Sequence, residues 1–172
     1  IWDADAGAEQ QVLVEHSEYV SSVAWSPDGE QIVGGTTGGT IIVWDVDTGV
    51  EQYVLEGNAK RVSSVAWSPD GEQIVSINDG DIIFWDADTG VGQPLPGFRW
   101  DWVTTIAWSP NGEHIVWGDV DGNIIVWDGD IETEQYVLEG HTGEVKSVAW
   151  SLDGEQIVSG GVDGTIIIWE IN

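Results

Sequence analysis

The chain has 172 residues, and its 31 acidic side chains against four basic ones give a formal net charge of -27 at pH 7. This length suits one domain around one core, and a charge of this sign repels the phosphate backbone of nucleic acids and an anionic membrane surface. The sequence contains no cysteine and no run of 18 apolar residues, which excludes disulfides, thiolate chemistry and a membrane-spanning helix. We therefore expect one soluble domain over residues 1–172 with no cofactor, no nucleic-acid partner and no membrane partner.

The chain opens at Ile1 in the middle of a sequence pattern and shows no signal peptide. We read it as an excerpt or a processed chain and expect a cytoplasmic location.

The tryptophans show a repeat of 41 or 42 residues. One series lies within the sequence W-D or W-E, and a second lies within A-W-S. The two series are Trp2, Trp44, Trp85, Trp127, Trp169 and Trp25, Trp67, Trp108, Trp150. A repeat of this length indicates an array of similar structural units, and the identical stretches at 20–33 and 62–75 fit either recent duplication or design.

In chain order, each repeat predicts four short strands. An apolar run ends in A-W-S, the turn P-D-G follows, and then come Q-I-V, a second turn such as V-D-G, the run I-I-V-W, a D-x-D-T-G bend and the segment Y-V-L. Asp-Gly and Asn-Gly between apolar runs are typical of hairpins, because glycine adopts positive φ without a steric cost. The sequence therefore predicts an all-β protein with antiparallel strands.

These motifs resemble those of the WD-repeat β-propeller family. The resemblance rests on W-S-P-D-G, D-G-T-I-I-I-W, W-D after the third strand and G-H before the first, in four copies that cover essentially the whole chain. It implies a ring of four-stranded blades, usually seven or eight, that acts as a platform for binding partners and not as an enzyme.

The order of the predicted strands leaves the ring open. The chain begins at the end of a third strand, supplies an outer strand near residues 10–14, and ends with a third strand at 166–169. An unpaired strand edge recruits a partner, and the resemblance implies that an N-terminal outer strand closes a C-terminal blade. We favour two chains joined head to tail into an eight-bladed ring, and a four-bladed monomer, another stoichiometry or a fragment of a longer chain are the alternatives.

His141, Ser159, Asp163 and Trp169 contain the residue types of a hydrolytic site, but they also match the hydrogen-bonded structural tetrad that the resemblance implies. We predict the structural role, because a nucleophilic serine also needs an exposed position and an oxyanion hole. The set is complete in the last repeat alone, and in the second repeat Ser76 and Asp79 remain. No catalytic residue is predicted.

The segment Asp45-x-Asp47-x-Gly49 with Glu56 resembles part of a calcium-binding loop. Val50 occupies the position that requires glycine, so we interpret these aspartates as turn residues and predict no metal site.

An up-and-down blade places its turns on alternate faces, and the sequence varies mainly on the face that carries the inter-blade loops and the second-to-third turns. All four basic residues lie in or just after those loops, as do tryptophans outside the two repeated series. An aromatic and arginine-rich composition is typical of interface hot spots. The candidate partner-binding residues are Tyr19, Lys60, Arg61, Phe98, Arg99, Trp100, Trp102 and Trp117.

Two functional hypotheses follow. The first is a binding module that presents these residues to a protein or peptide, and it predicts an exposed aromatic patch. The second is a purely structural, self-assembling half-propeller, natural or engineered, whose aromatic residues are buried and which has no partner beyond itself.

Overall fold

The computed structural model describes residues 1, 12–13, 18–55, 60–95, 102–128 and 133–171, and these residues form 15 β-strands and no helix. The strands are β1 (Val20–Trp25), β2 (Gln31–Thr36), β3 (Ile41–Asp45), β4 (Glu51–Leu55), β5 (Val62–Trp67), β6 (Gln73–Asn78), β7 (Asp81–Asp86), β8 (Gly92–Pro94), β9 (Val103–Trp108), β10 (His114–Asp119), β11 (Asn123–Asp128), β12 (Thr133–Glu139), β13 (Val145–Trp150), β14 (Gln156–Gly161) and β15 (Ile166–Glu170).

The strands form four separate antiparallel sheets, which we call blades. Blade 1 contains β1–β4, blade 2 contains β5–β8, blade 3 contains β9–β12 and blade 4 contains β13–β15. The prediction of an all-β protein built from antiparallel propeller blades is confirmed. Blades 1 to 3 have four strands each, whereas blade 4 has three within the described residues.

The turn between the first and second strands is held by the same polar contacts in each blade. In blade 1, the Ser26 hydroxyl donates to Asp28 Oδ1 at 2.6 Å, and the Glu30 N–H donates to the same oxygen at 3.0 Å. Gly29 takes the positive φ of 75° that closes the turn. The same contacts recur in the turns at 68–73 and 151–156, with asparagine in place of aspartate at 109–114.

The core lies between consecutive blades. Each blade presents apolar residues of its second and third strands to the first strand of the next blade, so β1 lies beside β5, β5 beside β9 and β9 beside β13. Between blades 1 and 2, for example, Val33 and Ile41 pack with Val62, Val65 and Trp67, all of them buried. Successive side chains along a strand point to opposite faces of a sheet. The side chains on one face of a blade therefore pack against the preceding blade, and those on the other face pack against the following blade.

Blades 1 and 4 do not cover each other. In blade 1, the Val23 side chain is 65% exposed, whereas its counterpart Val65 in blade 2 is 4% exposed. In blade 4, Ile166 is 78% exposed and its counterpart Ile41 is 0% exposed. The four blades therefore form an open arc, which differs from the four-bladed closed monomer considered above.

We name the two exposed surfaces by their apolar residues. The blade-1 end face consists of Val20, Val23 and Trp25, and the blade-4 end face consists of Val158, Ile166 and Ile168.

In the part of the chain that the structure describes, no helix is long and apolar enough to span a membrane.

Changing Ile74 to alanine tests the core between blades 1 and 2, where this side chain is fully buried. We expect Ile74→Ala to lower the free energy of unfolding by about 2–5 kcal/mol, because it removes apolar contacts and leaves a cavity. Leu152→Ala is the control, since Leu152 is 98% exposed, and its effect should stay within about 0.5 kcal/mol. Chemical denaturation measures both, and equal midpoints for the two variants would contradict this packing.

Candidate interaction face

The residue that precedes the first strand occupies the same position in all four blades. Its carbonyl oxygen accepts a hydrogen bond of 2.9–3.1 Å from a backbone N–H in the turn between the second and third strands of the same blade. The four donor and acceptor pairs are Thr37 with Tyr19, Asp79 with Arg61, Val120 with Trp102, and Val162 with Glu144. The backbone is therefore constant here, while the side chain is tyrosine, arginine, tryptophan or glutamate.

A β-bulge near the start of each first strand supplies a second variable position on this face. The register of each first strand against its neighbour shifts after the opening valine, so that one residue stands outside the regular pairing. The bulged residues are Ser21, Ser63, Thr104 and Lys146. Bulges are common beside binding sites because they redirect a side chain.

Residues of both kinds line a groove that crosses blades 2, 3 and 4. Its cavity volume is about 530 Å³. Its walls carry Arg61 and Asp79 from blade 2, Trp102 from blade 3, and Glu144 and Lys146 from blade 4. The Trp102 side chain is 62% exposed, so an aromatic surface is open to solvent at the centre of the groove.

Both charge signs occur in and beside the groove. Lys146 Nζ lies 2.6 Å from Glu144 Oε1, and Lys60 Nζ lies 2.5 Å from Asp81 Oδ2 next to it. These pairs are exposed to solvent and contribute little to stability. The groove is thus close to neutral on a strongly acidic protein.

The structure brings together part of the predicted partner-binding set. Arg61 and Trp102 line the groove, and Lys60 lies beside Arg61. Tyr19 is 83% exposed at the matching position of blade 1. Phe98, Arg99 and Trp100 lie outside the described residues.

The position of Trp117 corrects the sequence prediction. Trp117 is 1% exposed and lies in the core between blades 2 and 3, with its ring centroid 5.8 Å from that of Trp127. It occupies the strand position of Ser159, where the side chain points into the sheet packing and not to the loop face. Trp117 is therefore not available to a partner.

Glu144 and Lys146 line the groove as well, although neither is among the predicted partner-binding residues. The repeat spacing could have found Glu144, because it follows Trp102 by one repeat length and so takes the equivalent position. Lys146 depends on the bulge, which leaves no clear signal in the sequence.

The four residues of the predicted tetrad form one hydrogen-bonded chain in blade 4. Trp169 Nε1 donates to Ser159 Oγ at 2.8 Å, His141 Nε2 lies 2.8 Å from that oxygen, and His141 Nδ1 lies 3.0 Å from Asp163 Oδ2. Ser159 is 1% exposed, so a substrate cannot reach its hydroxyl. The arrangement links β14, β15, the turn between them and the loop before β13, which is a structural role.

Blade 2 has a shorter form of the same network. Trp85 Nε1 donates to Ser76 Oγ at 2.8 Å, and the Ser76 hydroxyl donates to Asn78 Oδ1 at 2.6 Å. Asp79 lies exposed in the adjoining turn with a φ of 47°, so Asn78 and not Asp79 is the polar partner in this blade.

No group of three or more His, Asp or Glu side chains is arranged to hold a metal ion in the described parts of the chain. The segment that resembles part of a calcium-binding loop is a turn, in which the Thr48 hydroxyl and N–H donate to Asp45 Oδ1 at 2.6 and 2.8 Å. Glu56 lies outside the described residues.

The sequence profile described as "WD domain, G-beta repeat" matches residues 7–45, 49–86, 93–128 and 132–170. The chain belongs to the WD-repeat family. Each of the last three matches begins near the outer strand of one blade and ends with the third strand of the next, so the sequence repeat is offset by one strand from the structural blade. Comparison with curated protein sequences finds no match.

Acid should weaken the tetrad of this WD-repeat chain through Asp163. Hydrogen bonds from the N–H groups of Thr142 and Thr165 and from the Thr165 hydroxyl hold the pKa of the Asp163 carboxyl well below its ordinary value. A lowered pKa means that the ionised form stabilises the folded state above about pH 4, and that this contribution is lost as the pH falls towards the folded-state pKa.

We therefore expect Asp163→Asn to be less stable than the parent protein at pH 7, and the gap to narrow below about pH 4. Denaturation measured between pH 7 and pH 2 tests this. Asp47→Asn removes the same charge from an exposed turn and controls for general charge repulsion. A gap for Asp163→Asn that is independent of pH would contradict the assignment.

Proposed function

We propose that this protein is a non-enzymatic cytoplasmic scaffold, a single domain that completes its ring with a second copy of itself and presents the variable loop face to a protein or peptide. The family supports the general role, because WD-repeat propellers serve as platforms for protein interaction. The proposed peptide site and the proposed contact between copies rest on the geometry of this chain.

One observation carries the binding proposal. Four different side chains, Tyr19, Arg61, Trp102 and Glu144, occupy one structural position that is fixed by the same backbone hydrogen bond in every blade. The valine that follows is identical in all four blades. A surface for selective recognition requires a constant backbone that carries variable side chains.

The groove fits an extended peptide segment. Trp102 offers a large exposed ring, and aromatic residues are enriched among interface hot spots because they bury much area with little loss of conformational entropy. Arg61 and Lys146 line the groove together with Asp79 and Glu144, so a partner segment with an apolar side chain and charges of both signs is favoured. Repulsion from the rest of the acidic surface acts against acidic partners anywhere else.

Self-assembly is the second part of the proposal. The two end faces are apolar and exposed, and blade 4 has no fourth strand in the described residues. Two chains joined twice, head to tail, would bury both end faces of each copy in an eight-bladed ring with two-fold symmetry. Each dimer would then carry two copies of the groove.

The purely structural half-propeller remains the alternative, and the same exposed end faces favour it. It shares the self-assembly but has no ligand for the groove. A measurement of binding at the groove separates the two.

Selection from a displayed library of random peptides tests the groove. We expect peptides enriched on the parent protein to bind Trp102→Ala about 30-fold more weakly, which corresponds to about 2 kcal/mol, a typical hot-spot loss. Fluorescence anisotropy with a labelled peptide measures the dissociation constants.

Tyr136→Ala is the matched control, because Tyr136 is an exposed aromatic residue on an outer strand away from the groove. Binding should be unchanged in this variant. Peptides that bind Trp102→Ala as well as they bind the parent protein, or a library that yields no enrichment, would favour the structural alternative.

A further inference from the structure

The three internal joints between blades are formed by residues at equivalent positions of the repeats. The blade that comes first contributes two strands, with Val33, Ile41 and Val43 in the first joint, and the following blade contributes the valines and tryptophan of its first strand. The later joints repeat this arrangement with the corresponding residues. The blade-4 end face and the blade-1 end face carry those same two residue sets without a neighbour to cover them.

A glycine on the second strand marks a close approach in the first and third joints. A Cβ atom added at Gly35 would lie 2.5 Å from Val62 Cγ1, and one added at Gly118 would lie 2.5 Å from Val145 Cγ1. In these two joints the first valine of the following blade packs directly against the glycine. In the second joint Ile77 takes the glycine position and packs in the same cluster as Val103.

Blade 4 has the glycine without the valine. Gly160 takes the position of Gly35 and Gly118, and a Cβ atom added there meets nothing within 4 Å. At the other end of the arc, Val20 takes the position of Val62 and Val145 and is 51% exposed. The open space at Gly160 and the exposed Val20 side chain are the two halves of one contact.

Two hydrogen bonds cross the first joint, and the residues of blade 4 that correspond to Ser21 and Ser22 are exposed. The Ser21 hydroxyl donates to the Val62 carbonyl oxygen at 2.7 Å, and Ser22 Oγ accepts from the Val65 N–H at 3.1 Å. In blade 4, Lys146 and Ser147 take these two positions and are exposed. The Lys146 ammonium can donate as the Ser21 hydroxyl does, and Ser147 Oγ can accept as Ser22 Oγ does, so the blade-4 end face offers polar as well as apolar complements to β1.

Leu13 already lies where the outer strand of a preceding blade would lie. In the first joint, Leu55 of β4 packs in the same cluster as Ile74 and Trp85 of blade 2. Leu13 packs against Ile32 and Trp44, the corresponding residues of blade 1. A three-stranded blade docked on blade 1 would thus meet Leu13 at the position of its fourth strand.

We infer that the cover of the blade-4 end face is a second copy of this chain, docked through its blade-1 end face so that its Val20 packs against Gly160. This inference rests on the proposed self-assembly and names the contact that forms it. The two end faces differ from each other, so the joint is head to tail, and two such joints close a two-fold ring. Ile1, which packs against the same cluster as Leu13 in the single chain, gives way to Ile168 of the second copy, which takes the equivalent position.

Cysteine cross-linking tests this contact, because the chain has no cysteine of its own. In the first joint, a Cβ atom at Gly35 lies 3.1 Å from Val62 Cβ, which is close to the separation of about 3.5–4.5 Å found in disulfides. We expect the double variant Val20→Cys, Gly160→Cys to form a covalent dimer of twice the 18.7 kDa chain mass after mild oxidation. An equal mixture of the two single variants should cross-link as well, and each single variant alone should not.

The outcomes separate the inference from the proposal on which it rests. A native mass of one chain, measured by light scattering for the parent protein, would overturn both. A native dimer without the cross-link, or a dimer cross-linked by Val20→Cys alone, would overturn this contact and leave self-assembly standing. A disulfide within a single chain would overturn the inference in favour of a four-bladed closed ring.

Val23→Glu provides a second test that leaves the fold of the single chain unchanged, since the Val23 side chain is 65% exposed. We expect its native mass to fall to that of one chain, because the joint would bury a carboxylate without a partner. Leu152→Glu, at an exposed turn residue outside both end faces, should keep the mass of the parent protein. A Val23→Glu variant that stays dimeric would overturn the inference.

Discussion

The packing of one blade against the next is the interaction on which the rest of this structure depends. Each sheet is apolar on both faces and must cover both of them, because a buried sheet face is stable only against another apolar layer. Three joints cover six of the eight faces, and the first and last faces stay exposed where Val23 and Ile166 lie. The stability of the arc and its tendency to assemble therefore have the same physical origin.

The polar networks serve this packing by fixing the blade edges. In blade 4, the chain from Trp169 through Ser159 and His141 to Asp163 satisfies side-chain groups that lie within the sheet, where an unpaired polar group would be costly. Blade 2 reaches the same end with Ser76 and Asn78, and blade 3 replaces the serine by the packed ring of Trp117. The tetrad is therefore not repeated in blades 2 and 3, and apolar packing takes the place of the serine in blade 3.

Function on such a frame depends on where variation is tolerated. The valines that open each first strand are fixed by the joints, whereas the residue before each valine lies on the loop face and is free to differ. Arg61 and Trp102 therefore differ from each other although each is followed by the same valine, and both line the groove. The basic residues that the structure describes, Lys60, Arg61 and Lys146, lie in or beside the groove on this face.

The sequence alone determined the all-β architecture, the number of blades and the tetrad of blade 4, because a tryptophan every 41 or 42 residues and Asp-Gly turns between apolar runs are local signals. It also separated the variable loops from the constant turns, and so identified Arg61 and Trp102 as candidates. Tertiary structure decided which aromatic residues are exposed: Trp102 and Trp117 look alike in the sequence, but Trp102 precedes a strand whereas Trp117 lies within one and faces blade 2. It also decided that the arc stays open and that Gly160 lacks a neighbour, since both depend on the angle between packed sheets, which no segment of the sequence encodes by itself.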